Sequence, residues 1–181
     1  MKLLETPLKD CYIIEPTIFN DNRGYFYEKF NEKRFEELTG MNGHFVQDNI
    51  SKSSYGVLRG LHLQKGEHAQ AKLVSCLEGK VFDVAVDLRE DSPTFGKWFG
   101  VELTGENKLQ FYVPRGFAHG FSVLSETAVF SYKCDNFYNK ASEGGVLWND
   151  PDLDINWQLP DSDIIISEKD MIMPSLSSKN F

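Results

Sequence analysis

Gln47-Asp48-Asn49-Ile50-Ser51-Lys52-Ser53-Ser54-Tyr55-Gly56-Val57-Leu58-Arg59-Gly60-Leu61-His62-Leu63-Gln64, running on to Gln70-Ala71-Lys72-Leu73-Val74, is the stretch around which the chain is organised. It sets Arg59, His62 and Lys72 into two strand-like segments otherwise built for a core. A guanidinium, an imidazole and an ammonium on adjacent strands form a compact set for acid–base work on an anionic substrate. Period-2 alternation puts Leu58, Gly60, His62 and Gln64 on one face, and Gln70, Lys72 and Val74 on one face of the next strand. If both faces line one cavity, His62 and Lys72 converge. Strict alternation sends Arg59 to the opposite face, and Gly60 is where a bulge could re-aim it. A histidine taken alone is more often a structural residue, so its neighbours have to decide.

Toward the N-terminus, Cys11 to Glu15 reads as a short apolar strand closed by Pro16, and Asn20 to Gly24 as a turn. Tyr25 to Phe30 is an aromatic strand with Phe26, Glu28 and Phe30 on one face. That face is either a solvated edge or a surface on which a planar ring stacks on Phe26 and donates a hydrogen bond to Glu28. Asn31 caps a helix to Leu38, stopped by Gly40. Phe45 to Ser51 carries Phe45, Gln47, Asn49 and Ser51 on one face, facing either a lumen or solvent.

Toward the C-terminus, Lys72 to Leu77 and Lys80 to Asp87 flank a turn at Glu78-Gly79. Asp83, Ala85 and Asp87 share a face opposite Phe82, Val84 and Val86. Strand aspartates usually mean solvent, but aspartate is disfavoured in strands, so partners are worth seeking. Phe95 to Leu103 and Leu109 to Val113 are two more strands. Pro114 to Phe121 makes a tight turn that delivers His119 onto the start of a strand. Ala128, Phe130, Tyr132 and Cys134 share a face, so Tyr132 points inward with Phe130. Tyr138 and Glu143 fall in a loop. A loop-like tail begins at about Asn149, with one apolar run, Ile164 to Ile166, short enough for a strand.

The chain has 181 residues, enough for one domain with arms, and its hydrophobic fraction of 41% suffices for a sizeable core. A net charge of −8 argues against nucleic acid or an anionic membrane as partner, though a local cationic cluster can still hold one small anion. Three scattered cysteines, Cys11, Cys76 and Cys134, without a C-x-x-C, fit reduced thiols in a cytoplasmic protein. The start shows no signal peptide, and no apolar run is long enough to span a membrane. Roughly ten short strands and one brief helix predict an all-β jelly roll or barrel over residues 1–181.

Pro114-x-Gly116-x-x-His119 is similar to the second signature of the cupin superfamily, whose fold is a double-stranded β-helix. Metal-binding cupins carry His-x-His in the first signature, where this chain has His62-Leu63-Gln64. With His44 and His68 in loop sequence, His62 and His119 lack a clear third ligand. A cupin-shaped cavity used without metal is the expectation.

Several motifs together resemble the dTDP-4-dehydrorhamnose 3,5-epimerase family. They are Asp21-x-Arg23-Gly24-x-Phe26-x-Glu28, Gln47-Asp48-Asn49, Val57-Leu58-Arg59-Gly60-Leu61-His62-x-Gln64, Lys72-Leu73-Val74, Phe82 to Asp87, Ser92 to Gly96, Gly116 to Phe121 and Trp148-Asn149-Asp150. The resemblance runs in order from about residue 10 to about residue 170. It implies dTDP-4-dehydro-6-deoxy-D-glucose as substrate and dTDP-4-dehydro-L-rhamnose as product, in dTDP-L-rhamnose biosynthesis. It also implies no cofactor, a homodimer, and a nucleotide site shared between subunits through the N-terminal strands. His62 would be the base, Asp170 its carboxylate partner, Tyr132 the acid on the other face, and Lys72 the group near the ketone. Arg23, Gln47 and Arg59 would meet diphosphate or nucleotide, and Phe26, Glu28 and Tyr138 the thymidine. Asn49, His119 and Glu143 would be further pocket residues, with Asp83 supporting His119. The alternatives are an epimerase acting at one carbon and a non-catalytic binder of nucleotide sugars.

Overall fold

The computed structural model describes residues 1–179 and 181. Its strands are β1 (Lys2–Glu5), β2 (Tyr12–Glu15), β3 (Ile18–Asp21), β4 (Gly24–Tyr27), β5 (Gln47–Ser54), β6 (Leu58–Gln64), β7 (Lys72–Glu78), β8 (Lys80–Asp87), β9 (Trp98–Thr104), β10 (Gln110–Val113), β11 (Phe117–Val123), β12 (Thr127–Cys134) and β13 (Glu143–Gly145). Two helices, α1 (Glu32–Thr39) and α2 (Glu168–Met171), join them. One sheet runs β1-β2-β10-β7-β12-β5 and a second β13-β6-β11-β8-β9. Every pairing is antiparallel, and the two sheets face each other as the all-β jelly roll expected. β3 and β4 form a separate hairpin.

Alternation explains the layers. On β8, Val81 and Ala85 enter the core between the sheets, with Val74, Phe111, Phe121 and Phe130. Phe82, Val84 and Val86 point the other way, yet they are buried too. The C-terminal segment covers them with Leu153 and Trp157. The loop-like tail from about Asn149 is therefore a third layer of the core.

The aspartates of β8 have the partners that their place in a strand suggested, since Asp83 and Asp87 are both wholly buried and hydrogen-bonded. Asp87 accepts from Arg89, Ser92 and Thr94 and so pins the loop that follows. That loop delays the next strand to Trp98, three residues past the expected start at Phe95.

On the outer face of the first sheet, α1 buries Phe35 against Leu73 and Tyr112. Asn31 Oδ1 accepts from Arg34 N–H at its start, and Gly40 closes it with φ 68°. Both ends match the sequence expectation.

Three short strands, β1, β3 and β13, were not expected, because pairing at a sheet edge or in a hairpin makes them rather than apolar alternation. Conversely, Ile164 to Ile166 forms no ladder. Ile165 makes one parallel bridge, to Val57. The aromatic strand ends at Tyr27, so Glu28 lies beyond it. The strand expected from Phe45 to Ser51 runs instead from Gln47 to Ser54.

Candidate active site

The register between β6 and β11 builds the site. His62 pairs with His119 and Arg59 with Phe121, so three steps on β6 oppose two on β11. Gly60 absorbs the extra residue with φ 138°. A Cβ there would lie 2.6 Å from Gly120 Cα, so only glycine fits. The bulge overturns strict alternation. Leu58 joins Leu61 in the outer core, while Arg59 and His62 line one cavity between the sheets.

That cavity measures about 590 Å³. His62 reaches it from β6 and is held from behind. With the proton on Nε2, its ring donates to Asp170 Oδ1 at 2.6 Å, which leaves the Nδ1 lone pair free. Asp170 Oδ2 accepts from the Gly60 amide at 3.3 Å, so the bulge also positions the carboxylate. Burial alone would raise the Asp170 pKa. The hydrogen bond and charge of His62, with the Gly60 amide, outweigh it and hold the carboxyl below its usual range.

Asp170 arrives on α2, which Ser167 caps. Two backbone bonds tie the approach to the start of β6, Leu58 N to Ile165 O at 2.9 Å and Ile165 N to Gly56 O at 2.8 Å.

Tyr132 faces the same cavity from β12 in the opposite sheet. Burial raises its pKa, the nearby Cys134 adds to this, and Arg59 offsets it in part. The phenol therefore stays protonated at neutral pH. Lys72 enters from β7, its Nζ 3.5 Å from the His62 carbonyl. Burial lowers its pKa, against the opposing pull of Cys134 and Asp83.

His119 Nε2 lies 2.9 and 3.0 Å from the two Asp83 oxygens, so the expected partnership is present. Burial raises the Asp83 carboxyl, and the His119 ring and Lys72 hold it back. Among the described residues, no three His, Cys, Asp or Glu side chains converge as a metal cage would need.

A hydrogen-bonded chain of five residues lines one side of the rim. Gln47 Nε2 donates to Asn49 Oδ1 at 3.1 Å, and Gln47 Oε1 accepts from the Tyr138 amide at 3.2 Å. Tyr138 Oη donates to Glu143 at 2.9 Å, and Lys169 Nζ donates to the same carboxylate at 2.6 Å. Arg59 Nε donates to Ser53 Oγ at 3.2 Å.

Sequence reasoning missed Lys169 and Phe121, whose ring stacks at 4.2 Å on Phe130, the residue that alternation had already turned inward with Tyr132. Alternation from His119 would have found Phe121. For Lys169 the only signal was its place beside Asp170.

Arg23, Phe26 and Glu28 stand apart from this cavity within the single chain. Arg23 closes on Asp21, at 2.5 Å from Nη2 to Oδ2. Phe26 is 69% exposed. Glu28 accepts from Asn31 and Arg34. Within its hairpin, Tyr25 rests under Lys108 Nζ at 4.2 Å from the ring centre.

The model of the family described as dTDP-4-dehydrorhamnose 3,5-epimerase matches residues 5–178. The protein of that name from Salmonella typhimurium is 54% identical over 179 residues, covering 97% of this chain and 96% of its own length. A crystal structure of the Elizabethkingia anophelis protein of that name superposes with TM-score 0.98 at 78% identity, over 100% of this chain and 99% of that one. The Legionella pneumophila dTDP-6-deoxy-D-glucose-3,5-epimerase, solved in complex with dTDP-4-keto-L-rhamnose, gives TM-score 0.93 at 52% identity, over 97% of this chain and 93% of that one. With its bulged histidine strand and paired carboxylate, this chain belongs to the dTDP-4-dehydrorhamnose 3,5-epimerase family.

Proposed function

We propose that the protein inverts carbons 3 and 5 of dTDP-4-dehydro-6-deoxy-D-glucose, giving dTDP-4-dehydro-L-rhamnose. The observation that carries this reading is one cavity lined from opposite sheets by a carboxylate-backed imidazole and a protonated phenol. Both carbons flank the ketone at carbon 4, so each bears an acidified proton. His62 removes it, and Asp170 fixes the ring tautomer and favours the imidazolium that forms. Lys72 stabilises the enolate oxygen. Tyr132 returns a proton from the far face, which inverts the centre. The reaction is redox-neutral and needs no cofactor.

In this reading Arg59 and Gln47 hold the diphosphate side, and Tyr138 meets the thymidine. Asn49, His119 and Glu143 complete the pocket, and Asp83 supports His119. Arg23, Phe26 and Glu28 serve the cavity of a second subunit, which makes the working form a homodimer. Their separation from the cavity in one chain, with Arg23 and Phe26 on an exposed hairpin and Glu28 just beyond it, supports that arrangement.

The test is incubation of the sugar nucleotide in heavy water, with a reductase to trap the product. Uptake of two deuterons, at carbons 3 and 5, is expected. One deuteron means a single-carbon epimerase, and none means a binder.

A further inference from the structure

We propose that Ser53 is a positioning residue for diphosphate binding, a neutral tether that holds the Arg59 guanidinium at the cavity without discharging it. This rests on the reading of Arg59 as a diphosphate contact. The chain has five arginines. Arg23 meets Asp21, Arg34 meets Glu28, Arg89 meets Asp87 and Arg115 meets Asp135, at 2.5, 2.9, 2.8 and 2.7 Å. Among the described residues Arg59 meets no carboxylate, and the partner of its side chain is a hydroxyl. A carboxylate would orient the guanidinium and cancel its charge. A hydroxyl orients it and leaves the full charge for an incoming anion.

The contact is built into the frame. Ser53 is buried on β5, opposite Ala128 of β12, and so belongs to the first sheet. Arg59 belongs to the second sheet, on β6, and is exposed where it lines the cavity. The bond of 3.2 Å from Nε to Oγ therefore crosses from one sheet to the other. The connection between β5 and β6 is itself pinned, by Tyr55 N to Glu126 O at 3.0 Å and Gly56 N to Val123 O at 3.1 Å. The bulge at Gly60 aims Arg59 into the cavity, and Ser53 then fixes where its side chain comes to rest.

The tether also selects which atoms are offered. With Nε taken, both Nη groups stay free as a fork, and that fork matches the paired oxygens of a phosphate. An untethered arginine at an exposed position spreads over many rotamers and loses that freedom on binding. Ser53 moves the loss from the binding step to the folding step, so diphosphate affinity rises.

The test is calorimetric titration with dTDP of wild type, Ser53→Ala, Ser53→Asp, Arg59→Ala and the variant carrying both alanines. Steady-state kinetics on dTDP-4-dehydro-6-deoxy-D-glucose accompany it. Ser53→Ala should weaken dTDP binding about tenfold and raise KM for the sugar nucleotide to match, with kcat within about twofold of wild type. Arg59→Ala should weaken dTDP about a hundredfold. Ser53→Asp, which holds the guanidinium more firmly but cancels its charge, should fall about as far as Arg59→Ala. In the Arg59→Ala background, Ser53→Ala should change nothing further, because it acts through the guanidinium. Circular dichroism checks each fold, and Ser53→Ala, which removes one oxygen, decides alone if Ser53→Asp does not fold. Unchanged dTDP affinity in Ser53→Ala, an equal loss with and without Arg59, or a folded Ser53→Asp that binds like wild type overturns the tether. Unchanged affinity in Arg59→Ala overturns the diphosphate reading of Arg59 instead.

Discussion

Asp170 accepts from the His62 ring and the Gly60 amide together, so its ionised form is favoured in the folded chain. A depressed folded pKa contributes stability above the unfolded carboxylate value, near ~3.9, and that contribution is lost as pH falls through the lower folded value. Asp170→Asn should therefore narrow the stability gap between pH 7 and pH 3, read by urea denaturation at both. The same change should lower turnover by about 10²- to 10⁴-fold, by releasing the imidazole from its tautomer. His62→Ala should lose nearly all turnover together with solvent exchange. Tyr132→Phe should keep more exchange than net epimerisation, and equal loss of the two would undo the division of roles. At this scale, the inward aim of Tyr132 was legible from alternation, and that of His62 and Lys72 only on the condition that their two faces line one cavity, because the bulge at Gly60 breaks the alternation on β6. Asp170 was not, because no local pattern places a residue 108 positions away behind a ring. The resemblance supplied it.

The bulge on β6 is the element whose loss should matter most. Gly60→Ala forces a side chain into Gly120 at a φ that disfavours one. It should destabilise by a few kcal/mol, on the order of ~1–3, and turnover should fall further than stability explains, because both Arg59 and His62 would be re-aimed. Thermal melting and kcat of the same preparation check this. By contrast, Asn31→Ala should cost about 1 kcal/mol through the lost cap and leave kcat unchanged. The cap and stop of α1 were legible because capping is local chemistry. The bulge was only suggested by a glycine, because register depends on β11 as well as β6. The tail was harder still. Its Pro- and Asp-rich stretch lacks periodicity, yet Leu153 and Trp157 complete a core whose other half lies on β6, β8 and β11.

For the whole molecule, the hairpin of β3 and β4 carries the expectation of a shared site. If Arg23 serves the neighbouring subunit, inactive Arg23→Ala and inactive His62→Ala chains should rescue each other when mixed and refolded. One site of each mixed dimer is then intact, so random pairing returns about a quarter of wild-type activity. No rescue would place Arg23 in its own subunit's site. The jelly roll was legible from strand count and turns, whereas the sharing was not, because an exposed aromatic hairpin looks the same whether water or another subunit covers it.

The three cysteines give this architecture a built-in reporter. All are buried, and burial pushes Cys76 and Cys134 up to about 11 and Cys11 higher still. Such thiols are protonated and shielded, so a maleimide should find them only when the sheets part. Its labelling rate then clocks how often the barrel breathes, in a signal separate from catalysis.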